Sequence, residues 1–257
     1  MNRTFLIVGI IASLMLSVFS ASGQSRTNTK PKKQPCAGAK KIKDCPEPGC
    51  GGKGLDPELN RRKNISTDNG EPAVLRTIAW MQALKDPKNF TARNPDRTEL
   101  RKLGEGQKIT VVAWALAARS GSQESCNCYL SKPADTDNHI VLVDPDLKDP
   151  TLARNEKRDS ETVEFTPRIR LNHPNFTQQK LEPLIDPDWQ PPDRPSKGRL
   201  LVRVTGYLMF DTEHFLHTPL KRHNNWEIHP ILKTEYCAEG ETCDPQSDEN
   251  WIDIESQ

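Results

Sequence analysis

Five stretches of this chain carry patterns of hydrophobic and polar positions that predict β-strands: 108–119, whose two faces are both apolar, 139–144, 162–169, 200–211 and 226–236. The fourth is the clearest, because Leu200, Val202, Val204 and Phe210 share one parity while Arg203 falls on the other. A period of two is typical of β-strands, whose successive side chains point to opposite faces. Residues 172–184, between the third and fourth stretches, carry a pattern that predicts a helix.

The order strand, strand, strand, helix, strand, strand predicts a mainly β fold. It is the element order of the OB-fold, a small five-stranded Greek-key barrel with one helix between strands three and four. Gly206 predicts a bulge or sharp bend inside its strand, and Pro230 an edge position or a bulge. Barrels of this type bind oligonucleotides and oligosaccharides across one face, but the fold alone names no ligand.

The rest of the chain divides by composition. Residues 1–23 combine a charged start, an apolar run and small residues, which predicts a signal peptide cleaved before Gln24; an uncleaved membrane anchor is the alternative. Residues 24–70 are predicted to be a basic extension, disordered to loop-rich, that contains cysteines. A helical lead-in is expected over 71–105, with a helix at 72–84, before the barrel domain at 106–236 and an acidic tail at 237–257.

Composition narrows the function only slightly. A net charge of +1 gives no global electrostatic case for nucleic-acid binding. Hydrophobic residues make up 34% of the chain and it contains 21 prolines, which favours long loops over a large core. The sequence contains no Gly-rich phosphate loop, no Gly-x-Ser-x-Gly elbow and no His-Glu-x-x-His pattern.

The seven cysteines favour disulfides, because an exported chain meets an oxidising compartment. Cys237 and Cys243 flank a short loop and are the candidate pair. Cys126 and Cys128 are too close for an unstrained bridge, so separate partners are expected. An odd number leaves at least one thiol unpaired. A zinc site is the alternative, but the usual Cys-x-x-Cys pairs are missing.

Polar residues at the predicted strand ends form the main candidate site. Asp137 and His139 begin strand two, Glu213 follows strand four, and Glu227 shares one face of strand five with its neighbour two positions on. The complete candidate ligand-binding set is His139, Arg203, Tyr207, Asp211, His214, Glu227 and His229. If the barrel brings these groups together, they form a hydrogen-bonded network, bind a ligand, or coordinate a divalent metal through His139, His214 and His229.

Aromatic residues suggest a second way to hold a ligand. Tyr207 shares the more polar face of its strand with Arg203, and Trp114 and Trp226 lie on neighbouring strands. Exposed rings beside basic groups are how OB-folds stack single-stranded bases. Aromatic content is only 6%, however, so most of these rings are expected in the core.

Several stretches resemble an uncharacterised family of exported bacterial proteins with an OB-like barrel. They are 106–119, Ser125-Cys126-Asn127-Cys128, 137–140, 202–214 (VRVTGYLMFDTEH) and Asn225-Trp226-Glu227-Ile228-His229-Pro230, with 49–64 resembling the Cys-rich lead-in. The resemblance implies the fold and a periplasmic or extracellular location, and no activity.

Two functions are therefore compared. The first is a non-catalytic binding module without a cofactor, whose partner is an oligosaccharide, a single-stranded nucleic acid or an envelope protein. The second is a metal-dependent, nuclease-like hydrolase that uses the His/Asp/Glu set at the barrel mouth. The catalytic residues of an OB-barrel nuclease are not recognisable here, so the sequence assigns none.

Overall fold

The structure is a computed structural model that describes residues 36, 38–50, 57–88, 96–188, 198–214 and 221–256. The predicted signal peptide, 1–23, lies outside the described residues, as does the rest of the chain up to residue 35. The described strands are β1 (Val74–Arg76), β2 (Lys108–Ser120), β3 (Asn138–Val143), β4 (Ser160–Phe165), β5 (Leu200–Phe210), β6 (Trp226–Cys237) and β7 (Trp251–Asp253). The described α-helices are α1 (Pro57–Lys63), α2 (Ile78–Gln82), α3 (Thr98–Leu103), α4 (Leu152–Asn155) and α5 (Gln178–Ile185).

Five of these strands close into a barrel in the order β2-β3-β4-β6-β5, with β5 pairing back onto β2. All contacts around this ring are antiparallel except that between β4 and β6, which is parallel. These five strands are the five that the hydrophobic pattern predicts, with ends that differ by at most four residues. The mainly β class and the closed five-stranded barrel are thus confirmed.

The barrel interior is a continuous apolar core. Ile109 and Val111 of β2, Val163 of β4 and Phe210 of β5 are each 0% exposed. The helices α2, α3 and α5 add buried apolar side chains to the same core: Ile78, Met81, Leu100, Leu181 and Ile185. Burial of this surface is the main force that closes the barrel.

A bulge lies where β5 and β6 pass closest. The register shifts on both sides of Gly206. A Cβ at this position would lie 2.4 Å from the Pro230 carbonyl oxygen and 2.5 Å from Ile228 Cγ2. Gly206 therefore permits a backbone approach that no other residue allows. The bulge that Gly206 and Pro230 predict is confirmed. Gly206 pairs with Ile231 and Leu208 with Ile228, so the extra residue lies on β6, where Pro230 is.

Two helix predictions need correction. Residues 74–76 of the predicted helix 72–84 form β1, which pairs in parallel with Ile109–Val111, and only Ile78–Gln82 is helical. The helix predicted at 172–184 begins only after Thr177, whose side chain accepts a hydrogen bond from the Lys180 N–H. In both cases a local cap or a strand partner outweighs the apolar periodicity.

The flanking segments are more ordered than composition predicts. Within the basic extension, Pro57–Lys63 forms α1. Within the acidic tail, β7 pairs with β6, and the Arg203 guanidinium lies 5.0 Å from the centre of the Trp251 ring. The tail is therefore a part of the sheet, because its aromatic and carbonyl groups find partners on the barrel.

Candidate functional site

The candidate site is a layer of buried polar side chains on the outer face of β3, β4 and β6. Strand alternation places it there, because Ile140, Val163 and Ile228 point into the core. Their neighbours of opposite parity point outward: His139, Glu164, Glu227 and His229. The strand register sets His139 opposite Glu164.

The described residues between 36 and 64, here called the cover, lie over this outer face. Lys63 at the end of α1 donates a hydrogen bond of 3.1 Å to Glu124 Oε2, and the Cys50 N–H donates to the Ser125 carbonyl. Disulfides Cys36–Cys50 and Cys45–Cys128 tie the cover to itself and to the loop before β3. As a result Glu164 and His229 are 3% and 1% exposed, although they lie on the outside of the barrel.

Ion pairs connect the layer from end to end. Glu164 lies between two imidazoles: its Oε1 is 3.4 Å from His139 Nε2, and its Oε2 is 3.2 Å from His229 Nδ1. His229 Nδ1 is also 3.2 Å from Glu227 Oε1. The chain of contacts continues through Arg222, which donates hydrogen bonds of 2.6 Å to Glu227 and 3.0 Å to Asp211.

The carboxylates keep both imidazoles of this layer protonated. Burial acts to lower the pKa of His229, but Glu164 and Glu227 outweigh it and raise the pKa to about 10. Burial likewise opposes the charged form of His139, and Glu164 and Glu124 raise its pKa to about 9. In return, against the effect of burial, the two imidazoles lower the pKa of Glu164 to about 2.

Permanent cations neutralise only part of the layer. Burial acts to raise the pKa of Asp211, yet Lys63, His214 and Arg222 hold it well below its usual value. At Asp137 burial and the nearby Glu124 outweigh His229 and Lys63 and raise the pKa to about 7. Of the buried carboxyl groups here, Glu124, Asp211 and Glu227 pair with Lys63 or Arg222, whereas Glu164 and Asp137 face imidazoles or an amide.

The structure brings together five of the seven residues that the sequence proposes: His139, Asp211, His214, Glu227 and His229. They lie at strand ends, near the start of β3, the end of β5 and the start of β6, on the outer face beneath the cover. His214 hydrogen-bonds to Asp211, at one end of the layer. Among the described residues, each close group of possible metal ligands contains at most one of the three proposed histidines. The metal site proposed at the three histidines has no support from these groups and stays a prediction.

Arg203 and Tyr207 lie outside the polar layer. Arg203 makes a two-pronged ion pair with Glu235, at 2.7 and 2.8 Å, and binds the tail through Asp248. The Tyr207 hydroxyl accepts a 3.1 Å hydrogen bond from the Asn69 N–H. Tyr207 and Trp226 are 6% and 0% exposed, and Trp114 is partly buried beside Arg199, so these rings do not form an open stacking surface.

A cavity of about 310 Å³ lies beside His229, between the chain after α1 and strand β5. Its wall combines polar and apolar groups: Arg62, Ile65, Thr67, Asn69, Gly106, Tyr207, Leu208, Met209 and His229. The His229 Nε2 atom is buried and has no hydrogen-bond partner among the described residues. Two of the sequence-proposed residues, Tyr207 and His229, thus meet at this cavity.

Sequence reasoning missed Lys63, Glu124, Glu164 and Arg222. Glu164 had a usable signal, because it alternates with Val163 and Phe165 in a recognised strand. The others come from α1 and from loops, where no periodicity indicates the direction of a side chain. Their role depends on segments distant in sequence packing on one face.

The disulfides support an oxidising environment. Cys237 and Cys243, the pair that the sequence favours, are bridged, and Cys126 is the free, buried cysteine. Within the described ranges, no helix is both long enough and apolar enough to cross a bilayer. Comparisons with protein-family models, with curated proteins and with solved structures found no match for this chain.

Proposed function

We propose that the protein is an exported, non-catalytic binding module that holds a small molecule with a carboxylate or phosphate group in the cavity beside His229. The observation that carries this proposal is the character of the cavity wall. It includes Arg62, Asn69, Tyr207 and His229 and no acidic residue. Two larger cavities on the described part of the barrel contain acids, among them Glu235 and Asp248 in one and Asp253 and Glu255 in the other.

Hydrogen-bond donors converge on this cavity. Because the Tyr207 hydroxyl accepts from the Asn69 N–H, its own proton can be donated to a ligand. Glu164 and Glu227 hold His229 Nδ1, which directs protonated Nε2 away from the carboxylates as a donor without a hydrogen-bond partner in the described part of the chain. A buried donor of this kind costs free energy unless a ligand or water satisfies it.

The apolar part of the wall adds a size and shape requirement. Ile65, Leu208 and Met209 line the same space as the donors. A volume of about 310 Å³ is at the lower end of small-molecule sites. The fitting ligand is a short organic acid or phosphate ester rather than a polymer, since the cover blocks the outer face on which OB-folds hold extended chains.

An OB-like Greek-key barrel is part of this proposal. Three features support it: the strand order β2-β3-β4-β6-β5, the parallel contact of β4 with β6, and the position of α5 between β4 and β5 in the chain. Export to the periplasm or the cell exterior is supported by three disulfides together with the signal-like residues 1–23. Membership of the exported bacterial family that the sequence resembles belongs to the same proposal.

Calorimetric titration of the oxidised chain tests the binding function. The probes are short mono- and dicarboxylates and sugar phosphates, each paired with its neutral amide or unphosphorylated sugar. We expect an acid to bind while its neutral analogue does not. His229→Gln and Tyr207→Phe should weaken binding at least about tenfold, since each removes a buried hydrogen bond to a charged group. Lys233→Ala, which borders only the other two cavities, is the matched control.

Two outcomes would redirect the proposal. If none of the acids binds while an oligosaccharide or single-stranded oligonucleotide does, the binding module has a polymer partner. The hydrolase alternative rests on a single observation, the carboxylate–imidazole contact between Glu227 and His229 at the edge of a cavity. Turnover of a phosphate ester that His229→Gln abolishes would favour that alternative.

A further inference from the structure

We propose that the outer polar layer binds one divalent first-row metal ion through Glu124 Oε1, His139 Nε2 and Glu164 Oε1. This metal site lies on the opposite side of Glu164 from the cavity and does not depend on the ligand proposed there. Donor atoms of the three residues all lie within 4.8 Å of one another.

The spacing of these atoms is close to that of a coordination sphere. His139 Nε2 is 3.4 Å from Glu164 Oε1 and 3.8 Å from Glu124 Oε1. Metal–ligand bonds of about 2.1 Å place neighbouring ligand atoms roughly 3.0–3.4 Å apart. The two distances from His139 Nε2 are thus within a few tenths of an ångström of this spacing, and the two glutamate oxygens lie within 4.8 Å of one another.

His139 Nε2 contacts the two carboxylates only at ion-pair distances. The atom is buried, yet it makes no hydrogen bond of standard geometry within the described part of the chain. The adjoining Asp137 Oδ1 is likewise buried without a hydrogen-bond partner there. Buried polar atoms are nearly always satisfied by protein, water or an ion, so a group of unsatisfied donor atoms favours a bound ligand.

Neighbouring residues orient each ligand. Lys63 holds Glu124 by its Oε2, which leaves Oε1 directed at His139. His229 approaches Glu164 Oε2 and leaves Oε1 on the side of His139. Gly121 keeps the imidazole accessible, since a Cβ there would lie 3.1 Å from His139 Nε2. Such outer contacts fix ligand geometry in metal sites generally.

The charge of the layer also favours a cation. Glu164 and Asp137 are buried carboxyl groups without a Lys or Arg partner among the described ion pairs and hydrogen bonds. A divalent ion would take the place of the His139 proton and keep a positive charge between Glu124 and Glu164. One imidazole and two carboxylates suit zinc, manganese or iron(II), with the remaining positions open toward Asp137 or solvent. The His139 side chain is 34% exposed, which provides an entry path.

Metal titration of the full oxidised chain, purified without a histidine tag and stripped with EDTA, tests this site. Zn²⁺ and Mn²⁺ are titrated separately by calorimetry, and Mn²⁺ is also followed by the loss of its free-ion paramagnetic resonance signal. We expect one ion per chain. His139→Ala and Glu164→Gln should each weaken binding by at least about tenfold, the effect seen when even outer contacts of metal ligands are lost.

His173→Ala is the control, because His173 stacks on Phe176 away from this layer. Glu124→Gln provides a third ligand variant of unchanged shape in case Glu164→Gln does not fold, and circular dichroism establishes folding before each titration. Failure of both ions to bind the folded wild-type chain would overturn the proposal. Equal affinity in wild type and a folded His139→Ala variant would overturn it as well. Neither result bears on the small-molecule cavity, whose variants and probes are different.

Discussion

The two faces of strand β4 are both buried, but by different means. On the inner face, Val163 and Phe165 pack among apolar side chains of the barrel. On the outer face, Glu164 lies between two imidazoles beneath the N-terminal segment. The inner face needs only apolar neighbours of suitable volume, whereas the outer face needs a specific partner for every charge.

This difference explains the arrangement of the cysteines. Burial of apolar side chains is the main force that closes the barrel. Covering the outer face removes water from charged groups, which costs free energy that ion pairs only partly offset. The Cys45–Cys128 bridge joins the cover to the loop before β3 across 83 positions of the chain, and so holds the cover on a face that does not attract it by apolar contact.

Loss of the Cys45–Cys128 bridge should produce the largest decrease in the stability of the fold. In the chain-entropy model, closing a loop of this length stabilises the fold by about 4.5 kcal/mol, compared with about 2 kcal/mol for the short Cys237–Cys243 loop. The double variant Cys45→Ser/Cys128→Ser should therefore unfold at much lower urea concentration than Cys237→Ser/Cys243→Ser. Equal midpoints for the two double variants would contradict a special role for the cover.

The inner face is tested by Phe165→Ala. Phe165 is 0% exposed and stacks on Phe176 with ring centres 4.8 Å apart. Removing the ring leaves a cavity, and we expect a loss of about 4 kcal/mol in the free energy of unfolding. Leu171→Ala is the control, because Leu171 is 56% exposed and its loss should change stability by less than about 0.5 kcal/mol. A loss below about 1 kcal/mol for Phe165→Ala would show that the core is not where we place it.

The outer face is tested by Arg222→Met, which keeps the apolar stem and removes the cation between Asp211 and Glu227. Two buried carboxylates each lose one of their partners, so we expect a loss of about 3 kcal/mol in the free energy of unfolding. Lys102→Met, which breaks only an exposed pair with Glu99, should change stability little. Adding Asp211→Asn and Glu227→Gln to Arg222→Met should recover part of the loss. A triple variant no more stable than the single one would argue against charge as the cause.

A change of pH in the presence of EDTA should have the smallest effect on stability, because it changes only the protonation of side chains. The folded-state pKa values of His139 and His229, about 9 and about 10, lie above the ordinary value of 6.5. Their contribution to stability is full below pH 6.5 and is lost as the pH rises through 9 to 10. Thermal melts should therefore show stability falling on the alkaline side, less so in His139→Ala. Saturating Zn²⁺ should weaken this dependence, because a bound ion replaces the proton on His139.

The hydrophobic pattern along the sequence was sufficient to locate all five barrel strands, and the glycine inside the fourth of them indicated the bulge at Gly206. It also placed Trp226 and Ile228 on one face of β6, with Glu227 and His229 on the other. Two-residue periodicity reports a local property, the direction of each side chain relative to its own strand. For the same reason it could not tell that the polar face is buried as thoroughly as the apolar one.

Tertiary structure decided what covers the polar face and which charges meet there. Lys63, Glu124 and Arg222 come from a helix and two loops that lie far apart in sequence. Arg203 lies on a polar strand face, as predicted, but pairs with Asp248 of the tail. Val74–Arg76 form a strand only because β2 offers an edge. The sequence determines the alternation because each strand carries its own pattern, whereas the partners of a buried charge depend on which distant segments pack beside it.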